Sequence, residues 1–238
     1  MKKKILSLAL VVALIAIMVG GSLAYFTDND QVTNTFTIGS VKVEVYENNE
    51  ATDSDTMDFG MLTPIVNVEN PSADVSYVDK VVNVKNTGRN DAYVRVHIAV
   101  PSQLAYTYLI LDVNTEGWNA PTTSEAVVEG VTYTVFTYDY ATAIAPTVPT
   151  NVLLKGVYLA SDVDLQEDAY NNLEFVRREN GVVIDESDFI AHTKNADGSY
   201  TPVDVNVLVA VQAIQADGFA DAETALDAGF QYHPWPVE

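Results

Sequence analysis

Three histidines are the side chains best suited to bind a transition metal: His97, His192 and His233. Zinc-dependent hydrolysis needs ligands that are held rigidly together, for example two histidines one helical turn apart with a glutamate base. These three lie far apart along the chain, and no His-Glu-x-x-His sequence occurs. His97 lies in a β-like run, where a surface or half-buried position is expected, and the other two lie in loop-like segments. The sequence predicts no metal site, although folding can still assemble one from these histidines and nearby acids.

Other catalytic patterns are also missing from the sequence. The chain has no cysteine, no Gly-x-Ser-x-Gly and no Gly-x-x-x-x-Gly-Lys, so neither a cysteine or serine nucleophile nor a phosphate loop is indicated. With 33 acidic residues, any chosen pair of carboxylates carries little information. We therefore predict that the protein is not an enzyme and needs no cofactor.

Two acidic clusters and two tryptophans are candidates for binding. Asp28-Asn29-Asp30, and Asp53-Ser54-Asp55 with Asp58, concentrate oxygen ligands, but neither matches the spacing of a calcium-binding loop. A specific calcium site and weak, unspecific cation binding both stay open. Trp118 and Trp235 can anchor a partner or a sugar, although packing in the core is the more common role of such residues.

The N-terminus has the composition of a secretory signal peptide. Three lysines precede an apolar run from Ile5 to Val19, and the small residues Ser22 and Ala24 form a peptidase site. We predict a signal peptide at residues 1–24, with cleavage after Ala24 or after Tyr25. The alternative is an uncleaved membrane anchor, which needs roughly 20 apolar residues.

The mature chain is strongly acidic. From Tyr25 onward it has nine basic and 33 acidic residues, a net charge of −24. Such a chain repels nucleic acid and anionic lipid, so we expect neither as a partner, and contact with a membrane only in the precursor. Without cysteine, the secreted protein must be held together by its core alone. No Pro- or Ser-rich linker interrupts residues 25–238, which we interpret as one domain.

Alternation of apolar and polar residues predicts strands over most of the chain. The predicted strands include 41–47, 78–85, 93–100, 131–138, 152–159 and 203–214, and residues 106–113 form either a strand or a short helix. The turn sequence Asn86-Thr87-Gly88 predicts a hairpin whose loop runs from Asn86 to Asp91. Helical spacing favours helices at 164–175 and 221–228. The predicted fold class is therefore an all-β, antiparallel sandwich with one or two short helices.

Several stretches resemble the TasA/camelysin family. The most specific are residues 21–28, with Asn34-Thr35-Phe36-Thr37-Ile38-Gly39-Ser40-Val41 after them, and weaker similarity occurs at 84–96 and 209–230. The resemblance implies a jelly-roll sandwich, a signal peptide that a SipW-type signal peptidase removes, and assembly into extracellular fibres. The name camelysin also implies a metalloprotease activity, which the histidine spacing does not support.

In related fibre formers, the start of the mature chain adds a strand to the neighbouring subunit. Here the corresponding donor is Tyr25 to about Thr37, with Phe26, Val32, Phe36 and Ile38 as its apolar side chains. The acidic stretch Asp28–Asp30 interrupts it, so we expect only its second half to pair as a strand. Two alternatives stay open: the segment forms the first strand of its own domain, or it is a disordered tail.

These features predict a secreted, cell-surface or biofilm-matrix protein that polymerises by strand exchange between identical subunits. The expected partners are other copies of the chain, the SipW-type signal peptidase during export, and an accessory matrix protein. A monomeric cell-surface binding module is the first alternative, and a camelysin-like metalloprotease is a more remote one.

Overall fold

The computed structural model describes residues 27–30, 42–47, 50–52, 56–57, 62–230 and 233–235. Fifteen strands and one α-helix lie within these ranges. The strands are β1 (Thr27–Asp30), β2 (Val43–Glu47), β3 (Glu50–Thr52), β4 (Thr56–Met57), β5 (Val78–Asn86), β6 (Ala92–Pro101), β7 (Leu109–Val113), β8 (Thr122–Val128), β9 (Val131–Asp139), β10 (Leu154–Leu159), β11 (Val163–Glu167), β12 (Leu173–Glu179), β13 (Val182–Lys194), β14 (Tyr200–Pro202) and β15 (Val207–Gln215). The helix is α1 (Ala222–Gly229), and a 3₁₀ turn spans Pro71–Ala73.

The described strands form three antiparallel sheets. The front sheet has the order β1-β15-β6-β9-β8, with β4 also paired to β15, and the back sheet has the order β3-β2-β5-β10-β7. A side sheet of β11 to β14 in chain order completes the fold. The predicted all-β sandwich class is confirmed. One or two short helices are predicted, and the described part of the chain contains one α-helix.

The core lies between the front and back sheets. Apolar residues at alternate positions of β6 and β15 pack with valines and leucines of β5 and β10, and Phe175 and Ala191 of the side sheet join the same apolar cluster. Every residue of β6 is buried. Its inner face packs in the core, while its outer face is covered by α1 and by the segment around Trp235. This outer cover shields polar side chains of β6 from solvent.

The predicted hairpin at Asn86–Asp91 is wrong. The connection crosses between the sheets, because β5 pairs with β2 and β10 whereas β6 pairs with β15 and β9. Asn86 is fully buried at this crossing: its amide donates to the carbonyls of Asn90 (2.8 Å) and Ile144 (2.9 Å), and its Oδ1 accepts from Gly88 N. The Asn-Thr-Gly pattern marks a sharp turn correctly, but it does not reveal which sheet the next strand joins.

The predicted helix at 164–175 is also wrong. Strands β11 and β12 form a hairpin there, turned by Asp168, whose Oδ1 accepts from the backbone N–H groups of Tyr170 (2.7 Å) and Asn172 (2.8 Å). The apolar residues with helical spacing, Leu165, Leu173 and Val176, lie instead on the two paired strands β11 and β12. The strand predicted over 203–214 begins at Val207, and residues 106–113 give strand β7 from Leu109.

The N-terminal segment before β2 is described only in part. Residues Thr27–Asp30 pair antiparallel with β15, from Thr27 opposite Ile214 to Asp30 opposite Val211. The acidic stretch thus does form a strand. A strand at the edge of a sheet has one unpaired edge in contact with water, so it tolerates polar residues. The predicted signal peptide and cleavage residues Ser22, Ala24 and Tyr25 lie outside the described residues, as do Phe26, Val32, Phe36 and Ile38.

Candidate functional site

A polar cleft of about 570 Å³ opens on the outer face of the front sheet. Its floor is formed by β6, β8 and β9, and its rim by α1 and the segment around His233. Four carboxylates and one arginine line it, together with hydroxyl groups of β8 and β9. The lining residues used below are Arg95, His97, Glu125, Thr137, Asp139, Asp227 and His233.

Arg95 joins three elements at one end of the cleft. Its Nε and Nη2 donate to the two carboxylate oxygens of Asp139 on β9 at 2.6 and 2.8 Å, a bidentate pair with both side chains 11 % exposed. Nη2 also donates to Asp227 of α1 at 2.8 Å. A planar guanidinium suits this geometry, since it offers paired donors in a fixed fork. Arg95 therefore fixes the helix to the sheet.

His97 lies two residues further along the same face of β6 and is 2 % exposed. Its Nδ1 contacts Thr137 Oγ1 at 2.8 Å, and its Nε2 contacts Gln212 Oε1 at 3.1 Å. Burial lowers the pKa of His97 to about 4, so the imidazole is neutral at physiological pH. The sequence-based expectation of a surface or half-buried position is wrong, because the C-terminal segment covers this face.

His233 and Trp235 form that cover. The ring of His97 makes edge contacts with both, at centroid distances of 6.3 and 6.2 Å, and His233 Nε2 contacts the carbonyl of Glu125 at 3.1 Å. The sequence did not indicate this meeting of His97 and His233, because they are 136 residues apart. The one local clue is that Arg95 and His97 are two apart in a β run, which places both on the same face.

The described residues do not fit a zinc centre. His97 has both ring nitrogens in hydrogen bonds, and His192 lies on β13 in the side sheet, away from the other two. Within the described ranges there is no group of three or more His, Asp or Glu side chains placed to hold a metal. Of the acidic clusters, Asp28–Asp30 belongs to β1, while Asp53–Asp55 and Asp58 lie outside the described residues.

Both tryptophans pack inside the protein. Trp118 is 6 % exposed, its Nε1 donates to the carbonyl of Asn151 at 3.3 Å, and its ring meets Tyr140 edge-on at 5.0 Å. Trp235 is buried beside Ala99 and Tyr133. These contacts favour the packing interpretation over an exposed anchor for a partner or a sugar.

The second candidate site is the edge of the front sheet, where β1 meets β15. Strand β15 is buried along nearly its whole length, and its outer edge pairs with β1 at Val211–Ile214 and with β4 at Val207 and Leu208. Residues Thr27–Asp30 thus complete part of the edge of a buried strand through four residue pairs. Loss of β1 exposes unpaired backbone groups on β15, which another strand can satisfy.

Comparison with known proteins connects the N-terminal region to a family. Residues 1–93 match the family model described as Camelysin metallo-endopeptidase. The TasA/camelysin resemblance is confirmed. The match spans the N-terminal region through β5 and the start of β6, including β1. No curated protein and no solved structure matches the chain. The family description names a metallo-endopeptidase, which implies a bound metal ion. The His, Asp and Glu side chains of the described residues do not form a group that fits such an ion.

No helix among the described residues has the length and apolar character needed to span a bilayer.

Proposed function

We propose that this protein is a secreted structural protein that polymerises into fibres at the cell surface or in the biofilm matrix. In this proposal the SipW-type signal peptidase removes residues 1–24, and residues 25–37 of one copy then add a strand to the next. Cleavage triggers assembly, because an N-terminus anchored in the membrane cannot reach another subunit. The family match over residues 1–93 supports the secreted, TasA/camelysin-type character of the chain.

The observation that carries the proposal is the way in which the N-terminal segment is attached. Among the described residues, four residue pairs hold β1 to the sheet edge. A backbone hydrogen bond contributes about 0.5–1.5 kcal/mol net, so this attachment is weak compared with the buried strands around it. When β1 of one copy replaces β1 of another at the edge of β15, the same backbone hydrogen bonds form again. The exchange therefore costs little free energy. Repeated head-to-tail addition without closure gives a filament.

The test is an internal deletion of residues 25–37 in the full chain, exported and purified from the medium. Negative-stain electron microscopy compares the fibres, and circular dichroism checks the β fold. We expect the deletion variant to stay folded and monomeric while the unmodified protein forms fibres. Fibres of unchanged length and number from the folded deletion variant would contradict the proposal.

A monomeric binding module is the second candidate, favoured by the polar cleft around Arg95 and His97. This alternative predicts that residues 25–37 pair only within their own domain. In that case the deletion lowers the thermal midpoint of unfolding, and neither form makes fibres.

A further inference from the structure

We propose that the polar cleft on the outer face of the front sheet is a binding site for a ligand that carries a primary ammonium group. Two sources share this chemistry: a free diamine and a lysine side chain of a partner protein. The inference goes beyond the proposed function and does not depend on fibre formation, because neither β1 nor β15 lines the cleft.

The cleft has a size that suits a small ligand or a single long side chain. Its volume of about 570 Å³ lies within the range of about 300–1,000 Å³ that is common for ligand pockets. The hydrogen bonds of Arg95 to Asp139 and Asp227 join β6, β9 and α1, which border it. The site is therefore fixed before a ligand arrives, which lowers the entropy cost of binding.

Carboxylates outnumber cations in the cleft. Arg95 is the one Arg or Lys among the described residues that line it. Both carboxylate oxygens of Asp139 accept from Arg95, whereas Asp227 accepts through Oδ1 alone. The carboxylate of Glu223 has no hydrogen-bond or ion-pair partner in the described part of the chain. This excess of negative charge attracts a cationic ligand and repels an anionic one.

Two of the carboxylates are neighbours on helix α1. Glu223 and Asp227 are four residues apart, so their side chains lie on the same face of the helix, and both line the cleft. Like charges at this spacing destabilise a helix, and Arg95 compensates only that of Asp227. Local rules of this kind are most often broken at functional sites. A bound cation near both carboxylates would remove the repulsion.

His233 gives an independent indication of a ligand that has hydrogen-bond donors. It lines the cleft, is 8 % exposed, and its Nε2 contacts the carbonyl of Glu125 at 3.1 Å. A carbonyl only accepts, so Nε2 carries the proton, and Nδ1 of the neutral ring is an acceptor. Nδ1 is buried and has no hydrogen-bond partner among the described residues, which is uncommon for a polar atom. An N–H donor of a ligand is the kind of group that satisfies it.

The lining selects among the possible cations. Quaternary ammonium groups are typically held in aromatic cages, and none of the described lining residues is Phe, Tyr or Trp. A guanidinium pairs best with a carboxylate that has both oxygens free, and Asp139 and Asp227 do not meet this condition. A primary ammonium has three donors that can reach separate acceptors, such as Glu223, Asp227 and the hydroxyl of Ser124.

Isothermal titration calorimetry of the exported full chain tests the proposal. The probes are the diamine cadaverine, a capped Gly-Lys-Gly peptide, and glutarate, which has a similar length and the opposite charge. Sodium chloride at about 0.15 M screens the general attraction of an acidic protein for cations. We expect at least one of the two amines to bind at one site per chain, and glutarate not to bind.

A lysine placed in the cleft is the sharpest variant. Ser124→Lys puts an ammonium group in the cleft, and Thr123→Lys makes the same charge change on the opposite face of β8. We expect Ser124→Lys to weaken amine binding by at least about tenfold, because like charges repel. Thr123→Lys should stay within about twofold of the unmodified protein. Both side chains are exposed, and circular dichroism verifies that both variants are folded.

A second pair of variants and a direct probe locate the ligand without an added lysine. Glu223→Gln should weaken binding by up to about fivefold, whereas Glu179→Gln, on the exposed end of β12, should change it by less than about twofold. The chain has three histidines, so their imidazole NMR signals are easily assigned. We expect the amine to shift the signals of His233 and to leave those of His192, in the side sheet, in place.

The outcomes separate the two sources and define what overturns the proposal. Binding of the peptide alone assigns the ammonium group to a partner protein, and binding of cadaverine alone assigns it to a free amine. The absence of saturable binding of both amines would overturn the proposal. So would equal amine binding by folded Ser124→Lys and the unmodified protein, which would mean that amines bind elsewhere on the acidic surface. None of these results depends on whether the protein forms fibres.

Discussion

Arg95 is the residue on which the outer face of the front sheet depends most. It lies between a buried carboxylate, Asp139, and the exposed Asp227 of α1, whose side chain is 61 % exposed. Removing one partner of a buried ion pair leaves an uncompensated charge, whereas exposed pairs contribute little.

We therefore predict that Arg95→Gln lowers the free energy of unfolding by about 3–5 kcal/mol. Asp227→Asn is the matched control and should cost less than about 1 kcal/mol. Urea titration followed by tryptophan fluorescence measures both values. Equal, small effects of the two substitutions would mean that the Arg95–Asp139 pair contributes little to stability.

His97 makes stability depend on pH in a defined direction. Burial lowers its pKa from 6.5 to about 4, so between these values the unfolded chain binds a proton that the folded chain does not. Stability is complete above pH 6.5 and falls as the pH drops towards 4, by up to about 3 kcal/mol.

The check is urea unfolding at pH 7 and pH 4.5 for the unmodified protein, His97→Gln and His192→Gln. His97→Gln should show a smaller loss of stability at pH 4.5, since it has no imidazole to protonate. His192 is only partly buried, so His192→Gln should behave like the unmodified protein. If His97→Gln retains the full pH dependence, the carboxylates are responsible for it.

At the level of elements, β7 is secured to the back sheet by a tyrosine that crosses β10. Tyr77 precedes β5, its ring lies over Gly156 of β10, and its hydroxyl donates to Asp112 of β7 at 2.9 Å. Burial and the Asp112 contact raise the pKa of Tyr77, so its hydroxyl keeps its proton. A Cβ at position 156 would overlap the Tyr77 ring.

We predict that Gly156→Ala lowers the free energy of unfolding by about 1–3 kcal/mol, because the ring must move. In a Tyr77→Ala background the same substitution should cost much less, and a double-mutant cycle in urea measures this coupling. Additive effects of the two changes would contradict the packing of Tyr77 over Gly156.

The sequence predicts the position of several of these elements but not their pairing. Valine alternation identified β2, β5, β6 and β15, and Asp221 marked the start of α1, where it accepts from Thr224 N at 2.8 Å. The sequence does not predict the strand pairing, because an apolar strand face fits either sheet, so the turn at Asn86 is compatible with a hairpin and with a crossing between sheets. The sequence does not predict the cleft, since its two histidines are 136 residues apart and meet only when α1 and the C-terminal segment cover β6.

For the whole molecule, the net charge of −24 predicted for the mature chain opposes association between copies. The screening length is about 30 Å at 0.01 M salt and about 10 Å at 0.1 M, so salt weakens this repulsion. We predict that fibre growth accelerates by about tenfold or more over that range of salt concentration. Light scattering of the exported protein in sodium chloride measures the rate, and growth that is slower at higher salt would contradict a charge-limited assembly.

The most direct test of fibre formation is negative-stain electron microscopy of the exported protein, after its N-terminus has been determined, over time and at several pH values. We expect filaments with a regular axial repeat that grow from monomers without any added partner. A well-folded monomer that persists at high concentration and low pH would contradict it.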